Sequence, residues 1–271
     1  MAMMGLLFVS HPTVEAAVVV SGFETYTAGS SLFGTDGWND PNYGSSNAVT
    51  TPASGAVVSP FVLEGEQSAY VQGGARKSFE SAGITAQDIL EVSWLQASPG
   101  SSDDLFVGGH QGGFLYKNIG ADTPAGIAAI KQGDGSMAIK LFGATGWAGG
   151  GQSYIMGSSG SDVSQVYRFY MQFDFDAHSM TGYYSLGSDN HVGLASAQKI
   201  LLGTVGIDVN LTAELLASAY GIGFLNAGGY TIIDDITMSA IPEPGTVSLV
   251  GIALSAVAFT LRGRRRRTVR N

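Results

Sequence analysis

The sequence predicts an all-β sandwich domain over residues 17–240, between two end segments of different character. Glycine accounts for 39 of the 271 residues, about twice its usual share. Short clusters of Gly, Ser, Thr and Asn recur along the chain as turns between short strands would. The clearest strand, 166–176 (VYRFYMQFDFD), alternates between apolar and polar residues. Many strands at intervals of about 8–12 residues are typical of a sandwich or barrel.

The strand at 166–176 has two predicted faces. The face expected in the core carries Tyr167, Phe169, Met171, Phe173 and Phe175, and the face expected in solvent carries Arg168, Tyr170, Gln172, Asp174 and Asp176. After the turn AHSMTG, residues 183–186 are expected to pair back as a hairpin. Further strands are predicted at 18–24, 56–63, 68–73, 90–97, 104–108, 113–118, 126–131, 136–142, 153–157, 199–206, 221–225 and 229–239. GDG at 133–135 is predicted to be a turn, and 211–220 is the one helical candidate.

The charge of the chain limits its partners. The net charge is −9, and residues 17–240 contain seven Lys and Arg against 20 Asp and Glu. An acidic body argues against nucleic acid, because phosphate contacts need a basic face. The chain has no cysteine, which excludes disulfides, thiolate zinc sites and a cysteine nucleophile.

The first 16 residues are expected to be a signal peptide. An apolar run at 3–9 is followed by the small residue Ala16, which suits cleavage before Ala17. No Lys or Arg precedes the run, so we expect the basic start to be missing. The alternative is that these residues form the first strand of the domain.

The C-terminal segment is expected to cross a membrane. Residues 245–261 carry no charge and span about 25 Å as a helix, which is short but sufficient. The arginines that follow provide a positive-inside signal, so the body is expected on the non-cytoplasmic side. They are Arg262, Arg264, Arg265, Arg266 and Arg267. The alternative is a buried C-terminal core helix.

The order of Pro242-Glu243-Pro244, an apolar helix and an arginine cluster resembles the PEP-CTERM sorting signal of Gram-negative bacteria. The resemblance covers residues 242–267. It implies that an exosortase-type membrane enzyme recognises the Pro-Glu-Pro motif and removes the helix and arginines. It also implies a transient stay in the inner membrane, then a place at the cell surface or in the extracellular matrix, often with exopolysaccharide.

Both ends of the body resemble those of concanavalin-A-like (LamG-like) jelly rolls. The opening is GFETYTAGSSLFGTDGW, 22–38, and the closing strand lies in GGYTIIDDITMSAIPEP, 228–244. The resemblance implies a jelly roll whose first and last strands lie side by side.

Asp234 is the acid that the pattern singles out. It is predicted to share a strand face with Tyr230, Ile232, Ile236 and Met238, where a carboxylate is costly unless it is hydrogen-bonded or metal-bound. One interpretation is that it accepts hydrogen bonds from backbone amides of the first strand or its loop. The other is a Ca²⁺ site to which Glu24 and Asp36 contribute.

No enzymatic motif is visible in the sequence. Asp174 and Asp176 are expected at a solvated strand end, and the strand lacks the Glu-x-Asp-x-x-Glu pattern of glucanases that share the jelly-roll fold. His110, His178 and His191 show no zinc-binding spacing.

Exposed aromatic side chains are the candidates for a ligand site. Trp147 lies among glycines and Trp38 in a loop, so both are candidates for stacking on sugars. Trp38 nevertheless fits a position in the core better than a ligand site, and Trp94 is also expected in the core. The predicted function is therefore an exported, surface-associated, non-enzymatic protein that binds glycans. The alternatives are a divergent glycoside hydrolase or polysaccharide lyase on the same fold, and a purely structural matrix protein.

Overall fold

Antiparallel strands account for most of the chain that the structure describes. This structure is a computed structural model, and it describes residues 18–27, 30–34, 36–39, 56–58, 63, 67–85, 91–98, 105–118, 123–156, 165–186 and 198–239. The strands are β1 Val18–Ser21, β2 Trp38–Asn39, β3 Ala56–Val58, β4 Ser68–Ser78, β5 Glu91–Ala97, β6 His110–Lys117, β7 Gly126–Lys131, β8 Met137–Gly143, β9 Gly146–Ser153, β10 Tyr167–Asp174, β11 Ser179–Leu186, β12 Ile200–Gly206 and β13 Tyr220–Ser239. A 3-10 turn covers Glu80–Ala82, and the helix α1 covers Ala213–Ala219.

Two antiparallel sheets form the domain. Sheet I has the order β12-β11-β10-β5 and continues into the second half of β13; sheet II runs from the first half of β13 through β6-β7-β8-β9. β4 pairs with β13 along both halves, and β1 pairs with its end. The predicted all-β sandwich is confirmed.

The two sheets meet through large buried side chains and glycines. The Trp94 ring of sheet I lies 5.6 Å from the ring of Phe169 and 5.8 Å, edge-on, from that of Phe224. Gly113 of sheet II leaves the space that the Trp94 ring fills, since a Cβ there would lie 2.6 Å from the ring. Fully burying such a side chain stabilises the fold by about 1.5–3 kcal/mol.

Several local predictions agree with the structure. β10 and β11 form a hairpin in which Tyr167 pairs with Leu186. Residues 133–135 turn the chain between β7 and β8. α1 lies inside the predicted helical segment, and the Thr212 hydroxyl caps it by accepting a hydrogen bond from the Leu215 amide at 3.2 Å.

Two predicted strands are wrong. Residues 105–109 form a turn closed by a hydrogen bond from the Gly109 amide to the Phe106 carbonyl, and Phe106 and Val107 are exposed. The last strand of sheet II is the glycine-rich segment 146–153, and not 153–157. The first prediction rested on an apolar run that lies in a turn. The second missed β9 because glycine is unfavourable in strands.

β13 is one strand of 20 residues where two were predicted, and it is interrupted by two bulges. At the second bulge Asp235 takes a left-handed backbone conformation, with φ of 38°. The extra residue shifts the alternation, so that Ile236 and Met238 face the main core while Ile232 lies in a second apolar cluster. The prediction that Asp234 shares a face with Ile236 and Met238 is therefore wrong.

The outer face of β10 is less exposed than the alternation predicted. Arg168 and Tyr170 are both 5% exposed, so their placement in solvent is wrong, whereas Asp174 is exposed as expected. The second apolar cluster lies beside this face of sheet I. Its buried members are Leu63, Leu95, Ala97, Val166 and Ile232.

The predictions for the two ends of the chain lie outside the described residues. They are the signal peptide 1–16 and the sorting signal 242–267 with its membrane helix 245–261. Within the described ranges, no helix has the length and apolar character needed to span a membrane.

Candidate functional site

An aromatic platform lies on the outer face of sheet II. It is built from alternate residues of β6 and from the facing ends of β8 and β9. Its members are His110, Phe114, Tyr116, Phe142 and Trp147. The intervening residue Leu115 points into the main core, which fixes the direction in which the platform faces.

The platform rests on residues with little or no side chain. Phe114 pairs across the sheet with Gly126, which in turn pairs with Phe142. A Cβ on Gly126 would lie 2.3 Å from Phe114, and one on Gly223 would lie 2.3 Å from Tyr116. The rings can therefore lie over the backbone only because these positions are glycine.

Three rings hold Trp147 in place while leaving its surface accessible. Its indole centroid lies 5.2 Å from Phe142, 5.8 Å from Phe114 and 5.8 Å from His110. The two phenylalanine contacts are T-shaped, an arrangement in which each aromatic pair contributes about 0.5–1.5 kcal/mol. Trp147 nevertheless remains 39% exposed. The indole is thus a fixed apolar surface open to a ligand.

The charge of the platform is set by His110 and Lys140. Burial lowers the pKa of His110 below its ordinary value, and a backbone hydrogen bond at Gly108 opposes this only in part. His110 is therefore neutral at pH 7. Lys140 lies two residues before Phe142 on the same face of β8, so this face of the sheet also carries an ammonium group.

The other two tryptophans belong to the core. Trp38 is fully buried and its ring lies 5.7 Å from that of Phe23. No face of its indole is free for a sugar, so Trp38 is corrected from a ligand candidate to a packing residue. Trp94 is also fully buried, as predicted.

Asp234 is satisfied by hydrogen bonds within the protein. It is 1% exposed, accepts a 2.6 Å hydrogen bond from the Ser68 hydroxyl, and accepts another of 2.7 Å from the Asp235 amide. The amide that it caps belongs to the bulge of β13, and not to the first strand or its loop.

The three acids proposed as calcium ligands each have separate contacts. Asp36 accepts hydrogen bonds from Lys77 Nζ at 2.5 Å and from the Tyr26 hydroxyl at 2.8 Å, and the Lys77 contact is the main reason that its pKa is lowered. Glu24 accepts a 3.5 Å hydrogen bond from the Gln67 amide. Among the described residues, no group of three or more His, Cys, Asp or Glu is placed to hold a metal ion.

A charged cluster on the outer face of sheet I was not predicted. Glu91, 8% exposed, accepts 2.5 Å hydrogen bonds from Lys199 Nζ and Gln172 Nε2, and Lys199 also lies 4.1 Å above the Tyr170 ring. Arg168 forms an ion pair with Asp235. The polar residues that alternate along β10 were the one sign of this cluster in the sequence. Their partners could not be predicted, because the acids come from β5 and β13 and Lys199 from the segment before β12.

The sequence matches no known protein-family model, and no curated protein matches it. Solved structures similar to this chain include the catalytic domain of a glycoside hydrolase family 131 protein from Coprinopsis cinerea, at 7% identity and a TM-score of 0.40, covering 65% of this chain and 71% of that one. An alginate lyase from Pseudomonas aeruginosa has 9% identity and a TM-score of 0.36, covering 65% and 82%. The lectin I-B4 from Griffonia simplicifolia has 10% identity and a TM-score of 0.36, covering 64% and 80%. Similarities this weak do not place the chain in a family.

Proposed function

We propose that this chain is an exported, non-enzymatic bacterial surface protein with a concanavalin-A-like jelly-roll body that binds glycans through the aromatic platform. The observation that carries the proposal is Trp147, which is exposed yet held by His110, Phe114 and Phe142. Sugar rings present C–H groups on one face, and a fixed aromatic surface beside a few polar groups suits them.

The charges favour a neutral glycan. His110 is uncharged at pH 7, and residues 17–240 as a whole carry 20 acids against seven bases. A polyanionic polysaccharide would be repelled by that excess of negative charge. A neutral exopolysaccharide is therefore the proposed ligand.

Glycan-array screening followed by calorimetry with Trp147→Ala tests this site. We expect neutral oligosaccharides to bind and the substitution to weaken their binding about two- to tenfold, since one aromatic contact contributes about 0.5–1.5 kcal/mol. Val209→Ala is the control, because it trims another exposed apolar side chain, 66% exposed, in the loop before α1. Equal affinity in Trp147→Ala and the unmodified protein would refute the platform, and an array without any neutral ligand would favour the structural matrix protein.

Sorting is a separate part of the proposal. The resemblance of Pro242-Glu243-Pro244 and the following segment to a PEP-CTERM signal supports processing by an exosortase-type enzyme at the inner membrane. Intact mass of the protein recovered from the cell surface tests it. A C-terminus near residue 244 is expected, and a surface form that retains Arg262–Arg267 would contradict it.

The charged cluster of sheet I favours the alternative of a glycoside hydrolase or polysaccharide lyase. Burying Glu91 and Arg168 is costly, and catalytic sites often hold buried charged groups of this kind. The test is incubation with polysaccharides, followed by assays for new reducing ends and for unsaturated sugars. Product that is formed by the unmodified protein and lost in Glu91→Gln, but retained in Trp147→Ala, would establish the alternative.

A further inference from the structure

A second concave site lies at the start of the domain, in the loop between β1 and β2. It is lined by Thr25, Tyr26, Thr27, Ser30 and Asp36, is open to solvent, and has a volume of about 330 Å³. Ligand pockets span about 300–1,000 Å³, so this one has room for a small molecule. It belongs to neither the aromatic platform nor the charged cluster of sheet I.

The pocket wall is held by buried side chains and backbone hydrogen bonds. Phe23, two residues before the pocket, is buried and takes a left-handed conformation with φ of 57°. Asp36, which is exposed in the pocket, is also left-handed, with φ of 48°. The Gln67 side-chain amide donates to the Tyr26 carbonyl at 2.8 Å and to the Glu24 carbonyl at 3.3 Å. Non-glycine residues in this conformation are strained, and such strain is concentrated at binding sites.

The polar atoms of the pocket are arranged unevenly. Both donors to Asp36, the Tyr26 hydroxyl and Lys77 Nζ, bind its Oδ2 atom. In the described part of the chain, Asp36 Oδ1 accepts no hydrogen bond, and the hydroxyls of Thr25, Thr27 and Ser30 make none. The pocket thus offers one carboxylate oxygen as an acceptor and three hydroxyls that both donate and accept.

The charge balance selects against ions. Lys77, whose side chain is 2% exposed, neutralises Asp36 from 2.5 Å, so a cation bound to the same carboxylate would approach a buried ammonium group. An anion would meet Asp36 itself, which lines the pocket with 59% of its side chain exposed. A neutral molecule rich in hydroxyls satisfies the available groups without either repulsion.

We propose that the pocket of Thr25, Tyr26, Thr27, Ser30 and Asp36 binds one neutral monosaccharide unit through two adjacent hydroxyls. Asp36 Oδ1 accepts from one of them, and the threonine and serine hydroxyls bind the other. The Tyr26 side chain forms part of the wall. This site stands independently of the aromatic platform, because the two share no residue and lie on different elements.

The test is a titration of the ¹⁵N-labelled full-length chain with glucose, galactose and mannose, followed by amide NMR. At least one sugar is expected to shift the amides of residues 25–27 and 30 with a millimolar Kd. The double variant Thr25→Val, Thr27→Val keeps side-chain shape and the Asp36–Lys77 ion pair, and is expected to weaken binding about tenfold. Trp147→Ala is the matched control and is expected to leave these shifts unchanged, which separates this site from the platform.

Three results would overturn the proposal. The first is the absence of saturable shifts up to about 100 mM sugar, a concentration that detects even weak sites. The second is unchanged affinity in the double valine variant, and the third is shifts caused by CaCl₂ in place of sugar. A free sugar and the end of a glycan chain share the same hydroxyl chemistry. Methyl glycosides of the three sugars distinguish these sources, since only a chain-end site retains full affinity for them.

Discussion

Replacing Gly113 by alanine tests how the two sheets pack. A Cβ at this position would lie 2.6, 2.8 and 2.9 Å from three atoms of the Trp94 ring in the opposite sheet. Ordinary carbon contacts are about 3.5–4.0 Å, so the ring or the strand must move by roughly 1 Å. The ring is confined by Phe169 and Phe224, and its Nε1 donates a 3.1 Å hydrogen bond to Gln96 Oε1.

The expected loss of stability follows from that confinement. Inserting a methyl group into a packed core costs about 1–3 kcal/mol. In a domain of this size, each 1 kcal/mol corresponds to about 2–4 °C in Tm, so Gly113→Ala should lower Tm by roughly 2–12 °C. Thermal unfolding followed by circular dichroism measures the change.

A matched glycine and a second-site change control the experiment. Gly133→Ala adds the same methyl group in a turn where nothing lies within 4 Å, and it should leave Tm unchanged or slightly raised. Trp94→Phe supplies room, so the double variant Gly113→Ala, Trp94→Phe should lose less stability than the sum of the two single changes. Strict additivity, or a neutral Gly113→Ala, would show that the sheets do not meet as described.

Three further predictions concern charged groups. His110 should titrate below the ordinary pKa of 6.5, so that the unfolded chain binds more protons than the folded one between the two pKa values. The free energy of unfolding, measured with denaturant, should therefore fall as the pH drops below about 6.5, and it should fall less in His110→Phe. Arg168→Met should lower the free energy of unfolding by about 3 kcal/mol, near the low end for a broken buried pair because Asp235 is 26% exposed. Adding Asp235→Asn should recover most of this loss in the same assay. EDTA should leave Tm unchanged because Asp234 and Asp36 already have protein partners; a Tm that falls by more than about 2 °C and returns with Ca²⁺ would support the calcium prediction instead.

Period-two alternation was sufficient to predict the sandwich and its best hairpin. In β10 the residues predicted to face inward, Tyr167, Phe169, Met171 and Phe173, are all buried in the main core. The one helical candidate, 211–220, likewise contains α1, and the structure shows that Thr212 caps it. These features depend on neighbouring residues, which the sequence shows directly.

Features that depend on register between distant strands could not be predicted. The bulge at Asp235 inverts the faces of β13, and nothing in the run of residues from Ile232 to Met238 marks it. Trp147 was identified from its glycine neighbours, but its partners His110 and Phe114 come from a strand more than 30 residues earlier. Arg168 and Asp235 likewise meet only because the strand order places β5 between β10 and β13.

The position of β13 has a consequence for the order of folding. It is the last strand of the domain in sequence, yet β1, β4, β5 and β6 all pair with it. Sheet II lacks its part of β13 until residues 220–226 have been synthesised, and sheet I lacks its part until residues 232–239 have been synthesised. Until then the edges of those four strands are open to incorrect pairing. Neither sheet can therefore be completed before its part of β13 is available. A chain that ends before Tyr220 lacks the strand that pairs with β1, β4, β5 and β6, so neither sheet can form as described.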